Sequence, residues 1–122
     1  MVSIQGLKKS FGDNHVLRGI DLDVPEGSIT VVIGPSGCGK SVLIKHVIGL
    51  LRADEGRVEV DGEDITHLSE KELTRVRRKF GMLFQHSALF DSMSVLDNVV
   101  FPLKEHTRLS RLKREDLARA RL

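Results

Sequence analysis

Residues 34 to 41 read Gly34-Pro35-Ser36-Gly37-Cys38-Gly39-Lys40-Ser41, three glycines interleaved with small residues and followed by an ammonium and a hydroxyl. The spacing G-x-x-x-x-G-K-S suits one chemistry above others, capture of the phosphates of a nucleotide. Glycines let the backbone turn so that successive N–H groups face phosphate oxygens. A helix beginning at the lysine adds partial positive charge. Lys40 then reaches the β- and γ-phosphates as a point charge, and the Ser41 hydroxyl supplies one ligand of a Mg²⁺ ion. Gly34, Pro35, Ser36, Gly37, Cys38, Gly39, Lys40, Ser41 and the adjoining Val42 are the candidate binding residues, with Lys40 also a candidate catalytic group and Ser41 a candidate metal ligand.

Such a loop works only between a strand and a helix. Ser28-Ile29-Thr30-Val31-Val32-Ile33 is a short β-branched apolar run, and it predicts a buried parallel strand feeding the loop. After Lys40 the period becomes helical, with Val42, Leu43, His46, Val47, Leu50 and Leu51 on one face. Before the loop, Val2-Ser3-Ile4 and the run from Val16 through Ile20, Leu22 and Val24 predict strands, separated by the turn residues Gly12-Asp13-Asn14. Arg57-Val58-Glu59-Val60 alternates, and Asp61-Gly62 marks a hairpin ahead of Glu63-Asp64-Ile65. Ser69 with Glu72 forms a capping box for a helix to about Arg78. Phe80-Gly81-Met82-Leu83-Phe84 predicts a further buried strand ending at Gln85. Ser94 with Asp97 caps a short helix that should stop near Pro102.

The stretch from Lys104 to Leu122 is helical in pattern, with Leu109, Leu112, Leu117 and Ala120 near one face. It carries seven basic residues against three acidic ones. A solvated helix face is the plain reading of that charge, and a partner-facing surface is the alternative. Across all 122 residues the net charge is only +2, too small to argue for a nucleic-acid partner, so none is expected. The length suits one globular unit. No apolar run approaches the roughly 18 residues that span a bilayer, and the first residues have no signal-peptide character. Those features predict a cytoplasmic protein. Cys38 is the single cysteine, so no disulfide framework is available, and it is read as a small side chain in a loop whose backbone binds. His15, His46, His67, His86 and His106 show no metal-ligand spacing and are read as surface or packing residues.

About thirty residues of strand and turn precede the loop, an arrangement unlike nucleoside monophosphate kinases, which open on the loop-bearing strand. Lys9-Ser10-Phe11-Gly12 stands ahead of Val16-Leu17, and Gln85 follows a buried apolar run 45 residues after Lys40. Together these resemble an ABC transporter ATPase. The resemblance implies an α/β P-loop NTPase fold of the ABC ATPase type. It would comprise an antiparallel β-subdomain at about 1–30 and 56–66, part of a RecA-like core at about 28–55 and 67–86, and the start of a helical subdomain at about 87–122. It also implies ATP and Mg²⁺ as ligands, Phe11 as the aromatic residue that stacks on adenine, and Gln85 as a catalytic sensor meeting Mg²⁺ and the attacking water.

Lys40-Ser41-Val42-Leu43, where the wider family has Lys-Ser-Thr-Leu, and the segment from Gly81 through Gln85, Asp97-Asn98-Val99 and Phe101-Pro102-Leu103 to Glu105-His106 are similar to ATPases of Mla-type phospholipid and organic-solvent-tolerance transporters, related to those of Mce systems. That likeness implies an integral-membrane permease, a second ATPase subunit, a lipid-binding protein of the Mce class and a small regulatory subunit as partners. It also implies a peripheral position at the inner face of the membrane. ATPases of amino acid or other solute importers are the nearest alternative. No Leu-Ser-Gly-Gly-Gln signature, apolar strand ending in Asp-Glu, or switch histidine is present in residues 1–122; Leu68-Ser69-Glu70 and Leu109-Ser110-Arg111 begin like the signature and then diverge. The expectation is a chain truncated before those motifs, able to bind ATP without hydrolysing it alone.

Overall fold

The computed structural model describes residues 1–84 and 88–122, which form two compact units, Met1–Gly81 and Met82–Leu122. The first is built on a four-stranded antiparallel sheet of order β2-β1-β3-β4, from β1 (Val2–Phe11), β2 (Asn14–Val24), β3 (Glu55–Val60) and β4 (Glu63–Asp64). Gly12 and Asp13 join β1 to β2, with Phe11 paired to Asn14 and Gly12 at φ 59°. Asp61 and Gly62 join β3 to β4, both at positive φ, which is the twist a two-residue hairpin demands. At Gly56, an added Cβ would lie 2.5 Å from the Gly6 carbonyl oxygen. Only glycine allows β3 to approach the β1 bulge so closely.

The core of this unit follows the alternation of its strands. Ile4 and Leu7 of β1, Leu17 of β2, and Val58 and Val60 of β3 pack with Leu43 of α1 (Lys40–Val47) and with Leu73 and Val76 of α2 (Glu70–Arg77). The capping box of α2 is formed: the Ser69 N–H donates to Glu72 Oε2 at 2.8 Å, and the Glu72 N–H donates to Ser69 Oγ at 3.4 Å.

Two expected strands are not strands. Among the described residues Ser28 to Ile33 pairs with no sheet, and Ile29 and Ile33 are 94% and 89% exposed. Phe80 to Phe84 has no ladder among the described residues either, with Leu83 exposed and Phe80 packed against the core. The reason is pairing. A strand that reads as buried and parallel needs hydrogen-bonding neighbours on its edges, and the four strands among the described residues pair only with one another.

The second unit holds α3 (Val95–His106) and α4 (Arg111–Arg119), which pack together. Ser94 caps α3 by accepting the Asp97 N–H at 3.1 Å. The helix does not stop at Pro102, which lies inside it. Proline removes one bond, to the carbonyl four residues back, and the flanking turns carry the helix past it. Thr107 ends α3, donating its hydroxyl to the Leu103 carbonyl. Ser110 then caps a separate helix, so the pattern expected as one helix to Leu122 is broken in two. The face expected from Leu112 and Leu117 is exposed, and Ala118 is the buried residue of α4. The Phe90 and Phe101 rings meet at 4.9 Å within this unit.

Candidate phosphate-loop site

The loop from Gly34 to Gly39 has a shape set by its glycines. Gly37 and Gly39 stand at φ 80° and 99°, where L side chains are strained. A Cβ on Gly34 would lie 2.7 Å from Cys38 Sγ. Gly39 is the N-cap of α1, and a methyl there would lie 3.0 Å from Val16 Cγ1 and 3.1 Å from Leu17 Cδ2. So β2 forms the floor on which the loop turns into its helix.

The helix start is bare. α1 has no capping side chain and no acidic residue in its first turn, and its first intrahelical bond runs from the Leu43 N–H to the Gly39 carbonyl at 2.8 Å. The N–H groups of Lys40, Ser41 and Val42 thus have no intrahelical acceptor. Lys40 folds back across the loop. Its Nζ donates to the carbonyls of Gly34 at 2.8 Å and Pro35 at 2.7 Å, and lies 3.8 Å from Cys38 Sγ. An ammonium, a hydroxyl and uncapped N–H donors converge where an anion would sit.

Phe11, Val16, Gly37, Gly39, Lys40, Ser41 and Val42 line one open cleft of about 240 Å³. Phe11 ends β1 half-exposed. An aromatic ring and a cationic glycine loop lining one cleft could hold a nucleoside triphosphate, and the Ser41 hydroxyl could offer an oxygen to Mg²⁺. A larger hollow of about 470 Å³ lies between Val2, Leu22, Val24, Thr30 and Val32 and the Leu43–Ile44–Val47 face of α1. Its walls are aliphatic apart from Thr30, Lys40 and Ser41, and it lacks Phe11, so the smaller cleft is the better nucleotide site. Among the described residues no three His, Cys, Asp or Glu side chains gather around a metal position.

The structure therefore brings Phe11 together with the glycine loop, Lys40, Ser41 and Val42. Gly34, Pro35 and Cys38 surround the ammonium, and Ser36 stands exposed in the turn. Gln85 lies outside the described residues. Sequence reasoning missed the floor formed by Val16 and Leu17, although their place beside Phe11 in the β hairpin was a usable signal. It also missed Arg77, whose guanidinium donates to the carbonyls of Ile48 at 3.3 Å and Gly49 at 2.6 Å, just past the far end of α1. His46, expected at the surface or in packing, is buried in α1 with Nδ1 hydrogen-bonded to the Val42 carbonyl at 2.8 Å.

The sequence model for ABC transporters matches residues 17–122. The chain belongs to the ABC transporter family. It is 46% identical over 121 residues to the probable ribonucleotide transport ATP-binding protein mkl of Mycobacterium leprae, covering 99% of this chain and 35% of that protein. It is 43% identical over 109 residues to the intermembrane phospholipid transport system ATP-binding protein MlaF of Haemophilus influenzae, covering 89% and 41%. The sulfate/thiosulfate import ATP-binding protein CysA of Acinetobacter baylyi is 42% identical over 110 residues, covering 90% and 30%. The chain thus spans about a third of the length of these relatives. Among solved structures, the dimeric ATP-binding cassette MJ0796 in a post-hydrolysis state bound to ADP and Pi superposes with a TM-score of 0.87 at 32% identity, over 97% of this chain and 54% of that one. The fold of this ABC family member is accordingly that of a P-loop NTPase of the ABC ATPase type. No helix among the described residues is long and apolar enough to cross a membrane.

Proposed function

We propose that this chain is the nucleotide-holding part of an ABC transporter ATP-binding subunit, with ATP bound between Phe11 and the loop Gly34–Ser41. The observation that carries this is the shared cleft: the aromatic ring and the phosphate cradle, separated by more than twenty residues of sequence, line one opening. On binding, Lys40 exchanges the Gly34 and Pro35 carbonyls for β- and γ-phosphate oxygens. The N–H groups of Lys40, Ser41 and Val42 take phosphate oxygens as acceptors, and the Ser41 hydroxyl would be one ligand of a Mg²⁺ ion, whose charge would offset that of the phosphates. Hydrolysis belongs to the intact protein. It needs a residue to orient water, and Gln85 is proposed as one contributor.

Titration of the chain with ATP by calorimetry tests the binding claim. Lys40→Ala should weaken ATP by roughly ten- to a hundredfold, the loss of a charge-assisted contact to phosphate. Unchanged ATP affinity in that variant would sink the assignment.

For the whole protein we infer phospholipid transport of the Mla type, with a membrane permease, a second ATPase copy and an Mce-class lipid carrier as partners, docked at the inner face of the membrane. The likeness to MlaF and the dimeric state of the MJ0796 cassette support this reading. Import of an inorganic or organic solute is the second reading, supported by the likeness to CysA. Full-length protein reconstituted with its permease separates the two. Lipid transport requires ATPase stimulation by phospholipid-loaded carrier, and stimulation by sulfate instead would favour import.

A further inference from the structure

Phe11 does not stand alone at the end of β1. The pairing of β1 with β2 shifts register between Leu7 and Lys8 and again between Lys9 and Ser10, and across this irregular stretch Lys9, two residues before Phe11, comes beside its ring. Leu7 is fully buried, and two residues on stands Lys9, whose side chain is only 17% exposed. Its Nζ lies 5.6 Å from the centroid of the Phe11 ring, within cation–π range. The same ammonium donates to Asp54 Oδ1 at 2.6 Å.

Asp54 holds more than Lys9. Its other oxygen accepts the Ser10 N–H at 2.7 Å, and its own N–H donates to the Lys8 carbonyl at 3.0 Å. One carboxylate, carried on the loop before β3, thus grips both residues that precede Phe11. The hydrogen bond from Lys9, then that from the Ser10 N–H, holds its carboxyl below the ordinary carboxylate range. Ser10 Oγ is in turn hydrogen-bonded to His15 Nδ1 at 2.8 Å across the hairpin. Such bracing fixes the backbone from which the ring projects.

We propose that Lys9 and Asp54 are positioning residues for the nucleotide base: Asp54 fixes Lys9 on one face of the Phe11 ring, so that the base stacks on the other. The inference rests on the reading of Phe11 as the base-stacking residue. Lys9 occupies a face that would otherwise compete for the base, and the ring is held before the ligand arrives. Pre-ordering lowers the entropy lost on binding, so the pair contributes to affinity for the base portion alone. Neither Lys9 nor Asp54 lines the phosphate end of the cleft.

The experiment compares two ligands on the same chain, ATP and inorganic tripolyphosphate, by calorimetry. Lys9→Met and Asp54→Asn should each weaken ATP roughly three- to fivefold, the size of a partly exposed cation–π contact, and leave tripolyphosphate unchanged. Lys9→Arg, which keeps both the cation and the ion pair, should restore ATP binding to within about twofold. A parallel loss for both ligands would make the pair a general structural brace and overturn the proposal. Unchanged ATP binding in Lys9→Met, with a clear loss in Phe11→Ala, would remove the pair's role and keep the stacking reading. ATP binding unchanged in Phe11→Ala would remove both.

Discussion

Replacing Gly39 by alanine should harm this protein more than replacing Gly37, although both lie in the same loop at positive φ, 99° and 80°. Each substitution forces an L side chain into a conformation that disfavours it, about 1–2 kcal/mol. Each also stiffens the unfolded chain by about 0.4–1 kcal/mol, a contribution that cancels in the comparison. The difference is space. A methyl on Gly37 meets nothing within 4 Å, whereas one on Gly39 lies 3.0 Å from Val16 Cγ1, 3.1 Å from Leu17 Cδ2 and 3.4 Å from the Val16 carbonyl oxygen. Leu17 is a buried core residue and cannot yield without disturbing Ile4 and Leu7. Overpacking of this kind adds about 1–3 kcal/mol, so Gly39→Ala should fall below Gly37→Ala by that amount. With a urea slope of about 1–3 kcal/mol/M, the two midpoints should differ by roughly 1 M, read by circular dichroism. Because the displaced groups include the floor of the cleft, Gly39→Ala should also weaken ATP more than Gly37→Ala does. Equal midpoints would refute the claim that β2 packs against the loop.

Three further perturbations test other parts of the structure. Arg77→Met removes the guanidinium from the Ile48 and Gly49 carbonyls and should lower stability by about 1–2 kcal/mol in urea melts, with Arg77→Lys recovering only part; no loss would show that water serves those carbonyls as well. The hydrogen bond from Lys79, aided by the chain's amino terminus, holds the Asp61 carboxyl down to about 2, so this carboxylate stabilises the fold above its ordinary range near pH 4 and ceases to as pH falls through about 2. Lys79→Met should therefore move the acid-unfolding midpoint, followed by circular dichroism, to higher pH; an unmoved midpoint would detach that pair from acid stability. Ile29, Val31 and Ile33 present an exposed apolar row with no paired strand among the described residues, so Val31→Lys with Ile33→Lys should lower self-association in sedimentation at an unchanged melting temperature; a fall in melting temperature would mean that the row is packed in solution.

Local signals carried the elements whose stability is local. Ser69 and Glu72 announced α2 because a capping box is made within four residues, and Asp61-Gly62 announced its hairpin because the turn depends on two backbone angles. The start of α3 was legible at Ser94 for the same reason, but its end was not. Pro102 argued for a stop, and helical context overrode the loss of one bond. The runs Ser28–Ile33 and Phe80–Phe84 carried the residue types of buried strands, yet a strand is defined by its neighbours, and a run of β-branched side chains does not say where those neighbours are.

The sequence by itself determined the chemistry available: a glycine loop with an ammonium, a hydroxyl and a helix start in fixed order, because that site is built within eight consecutive residues. It also marked Phe11 through a resemblance. Only the tertiary structure decided that Phe11 and the loop share a cleft, that Val16 and Leu17 floor it, and that Asp54 reaches back from the loop before β3 to hold Lys9 against the ring. Those contacts cross 20 to 45 residues of chain and depend on how β1 pairs with β2 and β3. Residue spacing fixes distances along one helix or strand; between elements, pairing register and packing fix them.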